Sequence, residues 1–145
     1  MSSKSRLLLI AAATVVALVV AGYFAMQMMM PPDNLDVARV KSSANGIYSL
    51  AIDPEAGAPV QNEMHAWVLT VKDPAGAPVT GASVSVDGGM PQHGHGLPTS
   101  PKAAEIGQGR YRIEGVRFNM SGWWELKFTI VSPMGEDDVV FNISL

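Results

Sequence analysis

Trp123-Trp124-Glu125-Leu126-Lys127-Phe128-Thr129-Ile130 is the stretch that decides the fold. Trp124, Leu126, Phe128 and Ile130 are large and apolar, whereas Glu125, Lys127 and Thr129 between them are polar. Successive side chains of a β-strand point to opposite faces, so this alternation describes a strand with one buried face and one wet face. The period of two recurs upstream. Tyr48, Leu50 and Ile52 share a face, as do Trp67, Leu69 and Val71, and then Ala82, Val84 and Val86. Tyr111 and Ile113 begin a further segment, and Val139, Phe141, Ile143 and Leu145 form the last. Turn formers separate these segments: Asp73-Pro74-Ala75-Gly76-Ala77-Pro78, Asp87-Gly88-Gly89, Gly107-Gln108-Gly109 and Pro133-Met134-Gly135. Six or seven short strands within about 100 residues predict an all-β fold, an antiparallel β-sandwich of immunoglobulin-like type.

Working outward to the N-terminus, Leu7–Met30 carries no charge, and its notably polar members are Thr14 and Gln27. As a helix, 24 residues reach about 36 Å, enough for a hydrocarbon core of about 30 Å. Lys4 and Arg6 precede the segment while Asp33 and Asp36 follow it, which predicts a cytoplasmic N-terminus (1–6) and a domain outside, on the periplasmic side of the cell membrane. A cleaved signal peptide is the competing reading, with Val19-Val20-Ala21 offering small residues. The apolar run exceeds the 7–15 residues usual for such a signal, which favours a retained single-pass anchor over 7–30. Pro31-Pro32 should end the helix. Residues 31–46 read as a linker or loosely docked lead-in, and 47–145 as the sandwich domain. Methionines 26, 28, 29 and 30 read as the apolar end of the helix.

Composition excludes several classes. Setting aside the first 30 residues leaves 115 of 145, one ordinary domain. The chain has no Cys, so disulfides, thiolate catalysis and Cys-type metal sites are ruled out. Its formal charge is −3, without a basic run, which argues against a nucleic-acid partner. No G-x-S-x-G elbow, H-E-x-x-H or phosphate-cradling loop occurs, and no enzyme activity is expected. Glu136-Asp137-Asp138 lacks the spaced oxygen ligands of a calcium loop and reads as a solvated turn.

The chemistry concentrates in Met90-Pro91-Gln92-His93-Gly94-His95-Gly96. In extended backbone an H-x-H pair aims both imidazoles to one side, suiting two ligands on one metal. Glycines 88, 89, 94 and 96 let the chain bend closely there. Methionine thioether favours Cu(I), and imidazole accepts either copper state. If 65–72 and 82–87 form a hairpin through 73–81, His65 lies at the same end as this loop. The candidate metal ligands are therefore His93 and His95, then Met90 and His65, with Met120 last. The competing reading is a Gly/Pro loop with two solvent-exposed histidines and a His65 that caps a core face. Of Trp123-Trp124, one ring should be core and the other rim.

The order Trp67, Gly76-Ala-Pro-Val-Thr-Gly-Ala82, Met90-Pro-x-His-x-His-Gly96, Gly109-x-Tyr111 and Met120-x-Gly-Trp123 resembles the YtkA-like domain, a group that includes FixH-like proteins. The resemblance covers roughly residues 47–145. It implies an immunoglobulin-like sandwich, secreted or anchored by one helix, with some members tied to copper handling or terminal-oxidase assembly. Relatives often carry methionine where this chain has His93, a departure that bears on the ligand set. The expectation is an exported, membrane-anchored copper carrier or respiratory-complex assembly accessory, with an inner-membrane complex as partner. The alternative is a non-metal protein-interaction module of a membrane complex.

Overall fold

Each stretch of period-two alternation forms a strand, because only a strand buries every second side chain while its backbone groups pair sideways. A computed structural model of the chain describes residues 3–28 and 30–145. Met1, Ser2 and Met29, which the sequence assigned to the cytoplasmic end and the apolar helix, lie outside the described residues. The chain divides into two units, Met1–Pro32 and Asp33–Leu145.

The first unit is one helix, α1 (Ser3–Met28). Its Leu9–Gln27 portion is long and apolar enough to cross a membrane, and none of that window is buried in protein. A helix apolar on all sides has no wet face to offer water, consistent with a membrane anchor. Two of its polar side chains bond within the helix: Thr14 Oγ1 donates to the Ile10 carbonyl at 2.9 Å, and Gln27 Nε2 to the Tyr23 hydroxyl at 2.9 Å.

The second unit holds nine strands: β1 (Val40–Ser42), β2 (Ser49–Pro54), β3 (Met64–Lys72), β4 (Ser83–Met90), β5 (His95–Gly96), β6 (Lys102–Gly107), β7 (Arg110–Arg117), β8 (Trp123–Ser132) and β9 (Gly135–Ser144). They form two antiparallel sheets, β1-β2-β3-β7-β6 and β5-β4-β8-β9. With β1 set aside, this is the immunoglobulin strand order. Antibody domains join the two sheets by a disulfide between the strands equivalent to β3 and β8. Here aromatic rings do so: Phe118 lies 6.4 Å from Trp67 of β3 and 5.4 Å from Trp124 of β8, edge-on to both.

Two expectations are corrected. The 73–81 connection is not a hairpin, since β3 pairs with β2 and β7 whereas β4 pairs with β5 and β8. Val79 is buried, so the connection contributes to the core while it crosses between sheets. Tyr111 fixes the crossing by donating to the Val79 carbonyl at 2.9 Å and accepting from the Ala82 amide at 3.0 Å. Asp137, read as part of a solvated turn, is a β9 residue only 2% exposed. It accepts from the Asn45 and Ile47 amides and from Asn45 Nδ2, at 2.9 to 3.2 Å. Burial pushes its pKa up, but bonds from the Ser43 hydroxyl and the Asn45, Asp138 and Ile47 amides outweigh that and take it down to about 2.

The stretch read as a linker also contributes to the sandwich. Val40–Ser42 pairs with β2, the Arg39 guanidinium lies 5.1 Å from the Trp67 ring centre, and Lys41 Nζ lies 5.8 Å from that of Phe141. These are long stems covering apolar rings while placing a cation over each.

Candidate functional site

Glycine makes the loop possible. A Cβ on Gly88 would stand 2.3 Å from the Glu125 carbonyl oxygen, and one on Gly89 2.4 Å from that of His95. Without side chains there, β4 closes on β8 on one side and on β5 on the other. The chain then reverses within Pro91–Gly94: the His93 and Gly94 amides both donate to the Met90 carbonyl, at 3.1 and 3.0 Å, and Gly94 takes φ +65°. His93 and His95 are therefore not on one extended strand as expected. His93 sits in the turn and His95 on β5, because Gly94 relieves the strain of the left-handed position between them. The ring centres lie 6.0 Å apart even so, with the ring planes 29° from parallel. An ion bonded to a ring nitrogen at about 2 Å lies about 3 Å from that ring's centre, so two rings on one ion have centres up to about 6 Å apart.

His95 pairs directly with Met90 in the β4–β5 register, and directly paired residues present their side chains on the same face. Met90 is 1% exposed and belongs to the core. The register of β4 with β8 runs to Gly89↔Glu125, one step short of Met90 and Trp124. His95, Met90 and Trp124 thus form a row along the inner face, and the His95 ring meets the Trp124 ring edge-on at 5.6 Å. His95 Nδ1 lies 3.1 Å from the Gly96 carbonyl oxygen. A carbonyl only accepts, so Nδ1 is the donor in this contact and Nε2 is the nitrogen left to face a metal. That is how a metal-binding imidazole is held in the correct tautomer.

Met120 lies at the same end. Trp124 Nε1 donates to the Met120 carbonyl at 3.0 Å. A Cβ on Gly122 would come within 3.2 Å of the Met90 methyl, so the 120–122 turn lies directly against the Met90 thioether. Met120 itself is 37% exposed.

His65 occupies that end too, but apart. The crossing 73–81 connection reverses the chain direction as a hairpin would, so the expected end is right although the pairing is not. His65 is on the other sheet, its Nε2 3.0 Å from the Val60 amide and 2.8 Å from the Val60 carbonyl oxygen. Phe118 and Trp124 stand between it and His95, with successive ring centres 6.2, 5.4 and 5.6 Å apart. Among the described residues no three His, Asp or Glu side chains are grouped to hold a metal ion. The structure brings together Met90, His93 and His95, places the Met120 backbone beside them through Trp124 and Gly122, and puts His65 on the other sheet.

Trp124 was legible only as a core ring, although it also meets His95 and bonds the Met120 carbonyl. The spacing Met120-x-Gly122-Trp123 already carried that signal, as a turn leading straight into the strand. Trp123, the rim ring, donates through Nε1 to Asn142 Oδ1 at 2.9 Å. A shallow hollow of about 230 Å³ runs along the hairpin, lined by Asp87, Gly89, His95, Glu125 and Lys127 among others. Its charges are already paired in part, Lys127 Nζ with Glu125 Oε2 at 3.0 Å.

The model of the YtkA-like family matches residues 48–129, from β2 through most of β8. The chain belongs to the YtkA-like family. The match contains all five candidate ligands and leaves out α1 and β9. Comparison with curated proteins and with solved structures returned no match.

Proposed function

We propose that this YtkA-like protein is an exported, membrane-anchored copper-binding protein, acting as a metal carrier or as an accessory in assembling a respiratory membrane complex. The Nδ1–H of His95, committed to the Gly96 carbonyl, carries this reading. The His93 ring lies beside that of His95, and Met90 is paired with His95 across β4 and β5. Imidazole and thioether together hold copper without a thiolate, which permits release to a partner. The α1 helix would retain the protein at the cell membrane, with Lys4 and Arg6 on the cytoplasmic side and the sandwich on the periplasmic side. The partner would be an inner-membrane complex, and no catalytic step is proposed.

Full-length protein in detergent, titrated with copper against a competing chelator and examined by X-ray absorption, tests the reading. One copper per chain with both nitrogen and sulfur neighbours is the expected result. Absence of copper binding would hand first place to the interaction-module reading. That reading has its own observation: among the described residues β6 pairs only with β7, and Ile106 on it is 46% exposed. A free sheet edge of this kind can accept a partner strand.

A further inference from the structure

Trp124 touches two parts of the site, His95 and the Met120 turn. Its ring meets His95, its indole N–H holds the Met120 carbonyl, and Phe118 backs it from the other sheet at 5.4 Å. Trp124 is fully buried, so nothing about it is set by solvent. We propose that Trp124 is the positioning residue that suits this site to copper(I), by holding the Met120 turn against Met90 and walling His95 with its ring. The inference rests on the copper reading above and adds the redox state of the cargo and the residue that sets it.

The argument is one of donor type and hydration. Met90 offers a thioether enclosed in the core, and thioether is a soft donor that favours Cu(I). A divalent ion loses far more hydration than a monovalent one on entering such surroundings, so enclosure discriminates in the same direction. An aromatic ring beside the ion adds attraction for a cation without adding a hard donor. Gly122 removes any side chain that would separate the Met90 methyl from the turn. Gly122 is pinned by reciprocal backbone bonds with Leu145 at 3.1 Å, and the Trp124 N–H to Met120 bond holds the Met120 end of the turn. Phenylalanine would keep an aromatic ring at the position while losing this bond and part of the indole's packing.

The test uses full-length protein in detergent, with Cu(I) and Cu(II) each titrated against a calibrated chelator. Trp124→Phe should weaken Cu(I) binding by about tenfold or more while Cu(II) binding moves by no more than about threefold. The double variant Trp124→Phe/Met120→Ala should bind Cu(I) no more weakly than Met120→Ala alone, because the tryptophan acts through the methionine. A purely structural role would weaken both copper states together and would not depend on Met120. Unchanged Cu(I) affinity in Trp124→Phe, or equal losses in the two states, overturns the proposal. Should Trp124→Phe fail to fold, Met120→Ala decides alone, since Met120 is a partly exposed turn residue. A Cu(I) affinity equal to wild type in that variant also overturns it. Wild-type protein that binds neither copper state removes the copper reading itself, which sets that failure apart from this one.

Discussion

The two ends of the sandwich solve opposite problems. At the end where β2 and β9 begin, polar groups are tied down. Asp137 accepts backbone amides, and the Tyr48 hydroxyl donates to the Gly135 carbonyl at 2.5 Å with Ser132 Oγ 2.8 Å away. At the end where β4 and β8 meet the hairpin, His93 and His95 are exposed, and the buried donor beside them is a sulfur. Saturated hydrogen bonds at one end leave nothing for a ligand to bond. Donors left free at the other are what a ligand requires. Stability and binding are thereby assigned to separate regions, and substitutions should separate them.

The largest effect is expected at Met90, the one candidate ligand that is also core. Met90→Ala should cost about 2–5 kcal/mol, the usual range for emptying a buried methionine site. Met90→Leu keeps the volume and should cost less than about 1.5 kcal/mol, yet it removes the thioether. Cu(I) affinity should fall in both variants, and chemical denaturation should separate them. If Met90→Leu binds Cu(I) like wild type, the sulfur is packing alone.

At the sealed end the next effect is a pH dependence. Asp137 has its pKa lowered from 3.8 to about 2. Its contribution to stability is therefore fully present above about pH 4 and is lost as pH falls through about 2. Denaturation from pH 6 to pH 2 should show this loss in wild type. Asp137→Asn should be less stable near neutrality and flatter across the acid window. Copper affinity at pH 7 should be the same in both, because the two ends share no side chain. Tyr48→Phe is expected to be milder, about 0.5–1.5 kcal/mol, the net worth of a typical hydrogen bond. Thermal melts of the variant should show that shift, again with copper binding untouched.

The six long strands could be read from the sequence because period-two alternation is a local property and each strand buries one face. β1, β5 and β6 could not. Val40-Lys41-Ser42 and His95-Gly96 are too short to show a period, and β6 has a single large apolar residue, Ile106, which cannot define one. Asp137 was misread for its acidic neighbours, although it lies in phase with Val139, Phe141 and Ile143, and that phase pointed inward. The His-x-His pair was visible as a motif. The contact of His95 Nδ1 with the Gly96 carbonyl was not, since it depends on how the turn sets β5. The contact of His95 with Trp124 joins strands that are not neighbours in the sheet, which alternation cannot foresee. The exclusion of His65 has the same origin, because two rings from distant segments stand in the way.

The smallest effect on stability should come with the largest effect on binding. His93 and His95 are exposed on a turn and a two-residue edge strand, and substitutions at such places usually stay within about 0.5 kcal/mol. Replacing both with Ala should therefore leave the denaturation midpoint nearly unmoved. The same change removes the two nitrogens whose ring centres lie 6.0 Å apart. What is left is thioether, a poor ligand for Cu(II), so Cu(II) affinity should fall by about a hundredfold or more. His65→Ala should do the reverse. It breaks the Val60 contact and the packing on Phe118, which lowers stability, while two intervening rings shield the copper site from the change. Parallel titration and denaturation of both variants put the two behaviours side by side. Equal copper affinity in wild type and the His93/His95 double variant would show that this end of the sandwich is not the metal site. A loss of Cu(II) affinity in His65→Ala as large as in the double variant would place His65 in the ligand set after all.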